Sequence, residues 1–278
     1  MPDKNNSFVL LRGGGDLATG VALRLHHAGI KLVITELPQP LAVRRTVAFS
    51  EAVYEGRHTV EGVTARRAER EELSAVIDAG EIPILVDPDA DILSRPDFLV
   101  VIDARLIKSP PEPLQVDVPL HIGLGPGFHA GKDCHAVVET RRSHTLGRVH
   151  WIGTSQPDSG EPEGDRRRVL RAPYDGILIA HAKIGDHLEE GQLIAAISDQ
   201  YPVISPFKGV LRGLIRPGLF VTQGLKIGDV DPRDDPSACH LVSDKALAIG
   251  GGVLEAILSK EEIRNRLWTP TLPPTNTT

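Results

Sequence analysis

An apolar run, Phe8-Val9-Leu10-Leu11, leads into Arg12-Gly13-Gly14-Gly15-Asp16-Leu17-Ala18, and Glu36 stands further on at the end of a second apolar run. A short buried strand, a Gly-x-Gly-x-x-Ala turn, an amphipathic segment, another strand and then an acid specify a βαβ unit of the dinucleotide-binding type. Gly13 permits the tight turn, and Gly15 lets a phosphate approach the backbone. Ala18 lets the helix pack close to the sheet, and the helix start offers free N–H groups and a positive dipole end. Asp16 opens that helix, Gly14 completes the cradle, and Glu36 sits where a carboxylate accepts bonds from ribose hydroxyls. The same residues also suit a tight turn that holds no ligand.

The 278 residues suffice for two domains, and 41% apolar with 24% charged residues make an ordinary core. A net charge of −6 and a pI near 6.0 argue against a nucleic-acid partner. Arg166-Arg167-Arg168 lies among Gly, Pro and acids and reads as a solvated run. Two cysteines, Cys134 and Cys239, are too few for a disulfide framework. The polar start and the brief apolar run after it fit neither a signal peptide nor a membrane span. A soluble cytoplasmic protein with no membrane partner is expected.

Strand-like and helix-like segments alternate in the first half. A helix is expected over 16–28, stopped by Gly29, with strands over 31–35, 82–86 and 98–102, a helix over 69–79, a hairpin-like stretch at 59–65 and one more strand at 136–138. The fold class expected from this is α/β: a Rossmann-like parallel sheet over 1–154. A linker follows over 155–168, since 155–165 holds two Pro, two Gly and four acids. A C-terminal helix, at 243–257 with Ser243 or Asp244 as cap, belongs to a last segment 233–278 that ends in a frayed Pro- and Thr-rich tail from 269. Gly250-Gly251-Gly252 inside that helix costs about 1 kcal/mol per glycine against alanine. Close backbone packing, a helix start at the glycines or a second anion-binding turn would each account for it.

Between linker and helix the sequence repeats itself. Ala172-Pro173-Tyr174-Asp175-Gly176-Ile177-Leu178 corresponds to Ser205-Pro206-Phe207-Lys208-Gly209-Val210-Leu211, and Gly185, Gly191 and Ile194 correspond to Gly218, Gly224 and Ile227, every pair at the same offset along the chain. Two such copies over 169–232, each of short strands cornered by Gly and Pro, bury one small β core. The pattern resembles the barrel-sandwich hybrid of biotinyl and lipoyl domains. In those domains a lysine at the joining turn takes the cofactor; here that turn is Ile197-Ser198-Asp199-Gln200-Tyr201-Pro202-Val203, without lysine. No biotin or lipoate is expected, and a rigid docking or lid element is.

A second glycine-rich stretch, Ile122-Gly123-Leu124-Gly125-Pro126-Gly127-Phe128-His129-Ala130-Gly131, exposes successive N–H groups suited to a phosphate or carboxylate. Gly123, Gly125 and Gly127 are its candidate ligand contacts. It leads into Asp133-Cys134-His135, where Cys134 with His129 or His135 would make a thiolate pair, and where a buried inert cysteine is the plainer alternative. Cys134-His135 with Cys239-His240 match no metal-finger spacing, and no metal site is expected. Arg44 and Arg45 could read a 2′-phosphate. P-loop, zinc-protease and serine-esterase motifs are absent from the sequence.

Arg12–Gly20, then Arg44-Arg45-Thr46-Val47-Ala48-Phe49-Ser50-Glu51-Ala52-Val53-Tyr54-Glu55-Gly56, the stretch 123–131, Val138-Glu139-Thr140 with His144 and Leu146-Gly147-Arg148, and 243–257 together resemble the accessory-protein family of the selenium-dependent molybdenum hydroxylase system. The resemblance implies a maturation factor that helps complete such enzymes' metal cofactor. Its partners would be the molybdenum hydroxylase apoprotein or a cofactor-handling protein. The resemblance does not specify the ligand; the two glycine loops lead us to expect a nucleotide-bearing, anionic one held between them, NAD or another dinucleotide such as molybdopterin dinucleotide. The alternatives are an NAD-dependent oxidoreductase and a sulfur or selenium transferase, with His129, Asp133 and Cys134 as candidate catalytic residues; a scaffold with a vestigial turn is a third.

Overall fold

Strand β1 (Phe8–Arg12) is buried along its whole length because it lies inside a sheet covered on both faces. Val9 and Leu11 enter one core while Phe8 and Leu10 enter another, following the two-residue period of a strand. The structure is a computed structural model and describes residues 7–158, 160 and 164–267. Residues 1–6, part of the expected linker and the tail from 268 lie outside the described residues.

After β1 come α1 (Asp16–His27), β2 (Leu32–Glu36), α2 (Ala52–Glu55), the hairpin of β3 (Arg57–Val60) and β4 (Val63–Arg67), and α3 (Leu73–Asp78). Strands β5 (Ile82–Val86), β6 (Phe98–Asp103), β7 (Leu120–Leu124), β8 (Ala136–Val138) and β9 (Val149–His150) complete a nine-stranded sheet of order β3-β4-β5-β2-β1-β6-β7-β8-β9. Between β4 and β8 in this order neighbours run parallel, whereas β3 and β9 run antiparallel at the two edges.

This corrects the expected fold class. A Rossmann-like parallel sheet returns each strand through a helix. Here the sheet is mixed, and the β6–β7 and β7–β8 connections contain no helix. The face they leave open is covered by α4 (Asp244–Leu258), whose Ala246, Ile249, Val253 and Ile257 share one core with Val21 and Leu25 of α1. The C-terminal helix, followed by α5 (Glu261–Leu267), is therefore part of the first core and not an appendage.

Ser243 caps α4 by accepting the N–H of Ala246 at 3.2 Å. The glycine triplet lies in the helix interior, so the anion-turn alternative is not realised. A Cβ on Gly250 would stand 2.7 Å from the carbonyl oxygen of Gly20, and one on Gly20 would stand 2.6 Å from the carbonyl carbon of Ala246. These glycines let α1 and α4 approach backbone to backbone. Gly252 is pressed against the carbonyl of Gly147, while Gly251 faces open space.

The β-module comprises β10 (Val169–Arg171), β11 (Gly176–Ala180), β12 (His187–Leu188), β13 (Leu193–Ile197), β14 (Tyr201–Ile204), β15 (Gly209–Leu214), β16 (Phe220–Val221) and β17 (Lys226–Asp231). The starts of the pairs β11/β15, β12/β16 and β13/β17 are separated by the offset of the sequence repeat. The copies interleave into two four-stranded antiparallel sheets, β10-β17-β15-β12 and β14-β13-β11-β16, each taking two strands from each copy. Leu178, Ile194, Leu211 and Ile227 meet in their common core. In place of a Rossmann-like sheet, a barrel-sandwich hybrid and a separate helix, the chain thus forms one large mixed sheet, two small antiparallel sheets and a helix returned to the first core.

The β-module is fastened to the large sheet. Val43 packs into its core, Arg45 donates from Nε to the carbonyl of Leu214 at 3.1 Å, and Arg216 pairs with buried Glu51 and, at 3.3 Å, with Glu55. Among the described residues no helix is long and apolar enough to cross a membrane.

Candidate functional site

Three successive glycines at the end of β1 do three different jobs. Gly13 takes a left-handed φ of +94° and donates its N–H to the carbonyl of Thr35 at 2.8 Å. Gly14 lies against the turn at residues 49–51: a Cβ there would be 3.0 Å from the Ser50 nitrogen, whose N–H donates to the Gly14 carbonyl at 2.8 Å. Gly15 is the N-cap of α1, with no side-chain cap, and a Cβ on it would meet nothing within 4 Å. The first-turn N–H groups of α1 are therefore left for a ligand. Glu36 accepts the Gly14 N–H at 2.7 Å through Oε2 and the Leu37 N–H at 2.8 Å through Oε1. Its carboxylate braces the turn while also bordering the space in front of it.

That space is a cleft of about 1510 Å³ between the carboxyl ends of β1, β2, β5 and β6 and the β-module. Gly13, Gly15, Asp16 and Glu36 line it, with twelve Arg and Lys side chains against six Asp and Glu among the described residues. In a chain with 31 basic and 37 acidic residues, this concentration marks the cleft for an anion. Arg12, at its floor, stands 3.7 Å from buried Asp103, which Arg105 clasps at 2.6 and 2.9 Å. Arg44 donates from Nη2 to the carbonyls of Ala238 and Leu241, both at 2.9 Å, and its Nη1 is 3.9 Å from Asp16. Arg45 is committed to the module contact instead.

Opposite α1, one oxygen of buried Asp229 faces Arg212 at 2.9 Å, Arg168 at 3.3 Å and Lys226 at 3.8 Å. Burial pushes the Arg12, Arg44 and Lys226 cations below their ordinary pKa range, a cost that a bound anion offsets. The Nε atoms of Arg12, Arg44, Arg168 and Arg212 and the Ser50 hydroxyl have no hydrogen-bond partner among the described residues. The set suits a phosphate or pyrophosphate group, which needs many donors and positive charge.

The second glycine stretch is placed elsewhere. Gly123 lies on β7 directly under the Phe128 ring, Gly127 is pressed against the Ile107 carbonyl, and Gly125, at φ +86°, gives its N–H to the Val138 carbonyl at 3.1 Å. Only Pro126 of this stretch borders the cleft. Cys134 is buried in a satellite core with Phe128, Ala130 and Val137, and burial pushes its thiol up to about 11. Asp133 accepts the backbone N–H of His129 at 3.0 Å, and His129 is exposed. None of these three lines the cleft. Cys239 lies between β17 and α4, its buried Sγ 3.7 Å from the Leu211 carbonyl of the β-module.

Sequence reading missed Arg12, Ser50, Arg168, Arg212, Lys226 and Asp229. The repeat carried a signal for some of them. Arg212, Lys226 and Asp229 occupy the positions that Ile179, Leu193 and Ala196 hold in the first copy, and Arg171 of the cleft corresponds to exposed Ile204. One copy carries charge where its twin is apolar.

Beside this cluster, Asp231 takes two bonds from Arg233 at 2.6 and 2.9 Å, which hold its carboxyl down at about 2. Its stabilisation is complete above the unfolded value near 4 and disappears as pH falls towards 2. Asp231→Asn is expected to cost about 2 kcal/mol at pH 7 and little at pH 2, read from urea unfolding at the two pH values. An equal loss at both would show the ion pair to be without effect.

No family model matches the chain. It is 47% identical over 258 residues to the uncharacterized protein YqeB of Escherichia coli (strain K12), an alignment covering 91% of this chain and 48% of that protein. The chain thus spans about half the length of the curated relative it matches. Among solved structures, an aspartoacylase family protein from Mesorhizobium loti and a succinylglutamatedesuccinylase/aspartoacylase from Rhodobacter sphaeroides each overlap 81% of this chain and 85% of their own, at 13% identity and a TM-score of 0.26. They accompany the corrected fold class and carry no argument about ligand or chemistry.

Proposed function

We propose that the cleft holds a nucleotide-bearing, phosphate-containing ligand, an NAD-like dinucleotide or a pterin dinucleotide. In this reading the chain is a cytoplasmic accessory factor that presents the ligand to a selenium-dependent molybdenum hydroxylase apoprotein or to a cofactor-handling partner. The observation that supports it is the excess of basic over acidic side chains, twelve to six among the described residues, lining the cleft into which the uncapped start of α1 opens. The ligand would supply whatever redox chemistry its metal or ring carries. The protein would hold and orient it: the α1 N–H groups and Arg44 on the phosphates, and Glu36 at the edge where a ribose would lie. Such a factor uses binding energy to retain its ligand and not to stabilise a transition state. His129, Asp133 and Cys134 have no part in it, since they stand away from the cleft and the Cys134 thiol is held protonated.

Gly15→Val tests the reading. The backbone at Gly15 has an ordinary φ of −65° and open space around it, so the variant should fold with a loss of no more than about 1 kcal/mol. It should nevertheless lose the thermal shift that the unaltered protein shows with its ligand, because the new side chain fills the phosphate position. NAD, NADP, CTP and a pterin dinucleotide form the panel. No shift with any of them in the unaltered protein would defeat the reading.

A further inference from the structure

Four cations, Arg44, Arg168, Arg212 and Lys226, gather in front of α1 with two carboxylates, Asp16 and Asp229. Arg212 also reaches Asp231 at 3.2 Å, but Asp231 is already neutralised by Arg233 at 2.6 Å. Among the described residues the cluster therefore holds two more positive charges than negative ones, and the positive end of α1 adds to them. All three module cations turn to a single oxygen of Asp229, whose other oxygen has no partner among the described residues. Ser50, 1% exposed and with its hydroxyl likewise unpartnered, lines the same cleft from the large-sheet side, as does Arg44, whose Nε is unpartnered too. Within the repeat, charge at 212, 226 and 229 replaces Ile179, Leu193 and Ala196 on the twin face, which lies away from the cleft. The twin sheet is built without these charges.

We propose that this cluster is a clamp for a dianionic phosphate group, in which α1 and Ser50 hold one side of the group and Arg168, Arg212 and Lys226 close on the other. The proposal rests on the reading of the cleft as a ligand site and assigns its phosphate-reading residues to the β-module. Asp229 stands in for the ligand: it keeps the cations assembled when the clamp is empty and competes with the anion when it binds. The dianion is either a bridging pyrophosphate or a terminal phosphate monoester. The ligand would then touch both the large sheet and the β-module.

Calorimetry with inorganic pyrophosphate, NAD, AMP and adenosine tests this on the full chain. Pyrophosphate should bind and adenosine should not. Lys226→Met removes a side chain already 41% exposed and should weaken pyrophosphate at least tenfold. Asp229→Asn should tighten it, an outcome that a merely structural role for Asp229 does not produce. Stronger binding of NAD than AMP assigns the clamp to a bridging pyrophosphate, and the reverse assigns it to a monoester. Pyrophosphate that fails to bind, or binds Lys226→Met within twofold of the unaltered protein, overturns the clamp. If NAD binds both proteins equally, the clamp falls and the ligand reading stands. If pyrophosphate binding depends on Lys226 and no nucleotide binds, the clamp stands and the nucleotide reading falls.

Discussion

Gly250→Val is expected to lower the free energy of unfolding by about 3 kcal/mol, through overpacking at a backbone contact. Its Cβ would lie 2.7 Å from the Gly20 carbonyl oxygen and 2.8 Å from Cγ of Arg24. The arginine can swing away, but the carbonyl belongs to α1 and moves only if the helix does. Separating the helices would loosen the contacts of Val21, Leu25, Ile249 and Val253. Gly251 provides the control, since a Cβ there meets nothing. Gly251→Ala should stabilise by up to about 1 kcal/mol, because alanine suits a helix interior better than glycine. Urea midpoints of the two variants should thus move in opposite directions. A loss below about 0.5 kcal/mol in Gly250→Val, within the range of an ordinary surface substitution, would mean that the crossing is not held by close approach.

Asp103→Ala should be as severe, at about 3–5 kcal/mol. Asp103 is 1% exposed and faces Arg12 and Arg105. Arg105 is partly exposed and can turn towards water once the carboxylate is gone. Arg12 is buried and would lose its nearest carboxylate, keeping only the weaker attraction of Asp87 and Asp89. Asp103→Leu combined with Arg12→Met should recover most of the loss, because it removes both charges and fills the space. A double-mutant cycle by chemical unfolding measures the difference. Additive losses would show that the two residues act independently.

Elements held by local pattern were legible in the sequence. The expected helix over 16–28 is Asp16–His27, the strand expected at 82–86 is Ile82–Val86, and the strand at 98–102 extends to Asp103. The internal repeat anticipated matching strands because glycines and prolines corner each copy at the same places. What depended on contacts between distant segments was not legible. Nothing in the period of 243–257 says that its apolar stripe covers α1, at the opposite end of the chain. Glycines were overread for the same reason. Gly123, Gly125 and Gly127 look like a ligand loop until Phe128, Ile107 and Val138 are seen against them. Along the cleft, the lining residues Gly13, Gly15, Asp16 and Glu36 were legible because one motif contains them. Arg44 was noticed as a cation near the second strand, but its neighbours Arg168, Arg212 and Lys226 come from the other module and share no local signal with it.

The return of α4 to α1 sets an order on biosynthesis. The chain emerging from the ribosome supplies β1 to β9 first, with the face around α1 still bare. The whole β-module must then appear before the helix that covers that face. The module, whose strands pair among themselves within one contiguous stretch, can complete its sheets while its predecessor waits. Arg45, Glu51 and Val43 are already made by then and can receive it. The core around α1 is thus closed only after the module has been made, and a nascent chain stalled ahead of Asp244 would expose Val21 and Leu25 to any chaperone within reach.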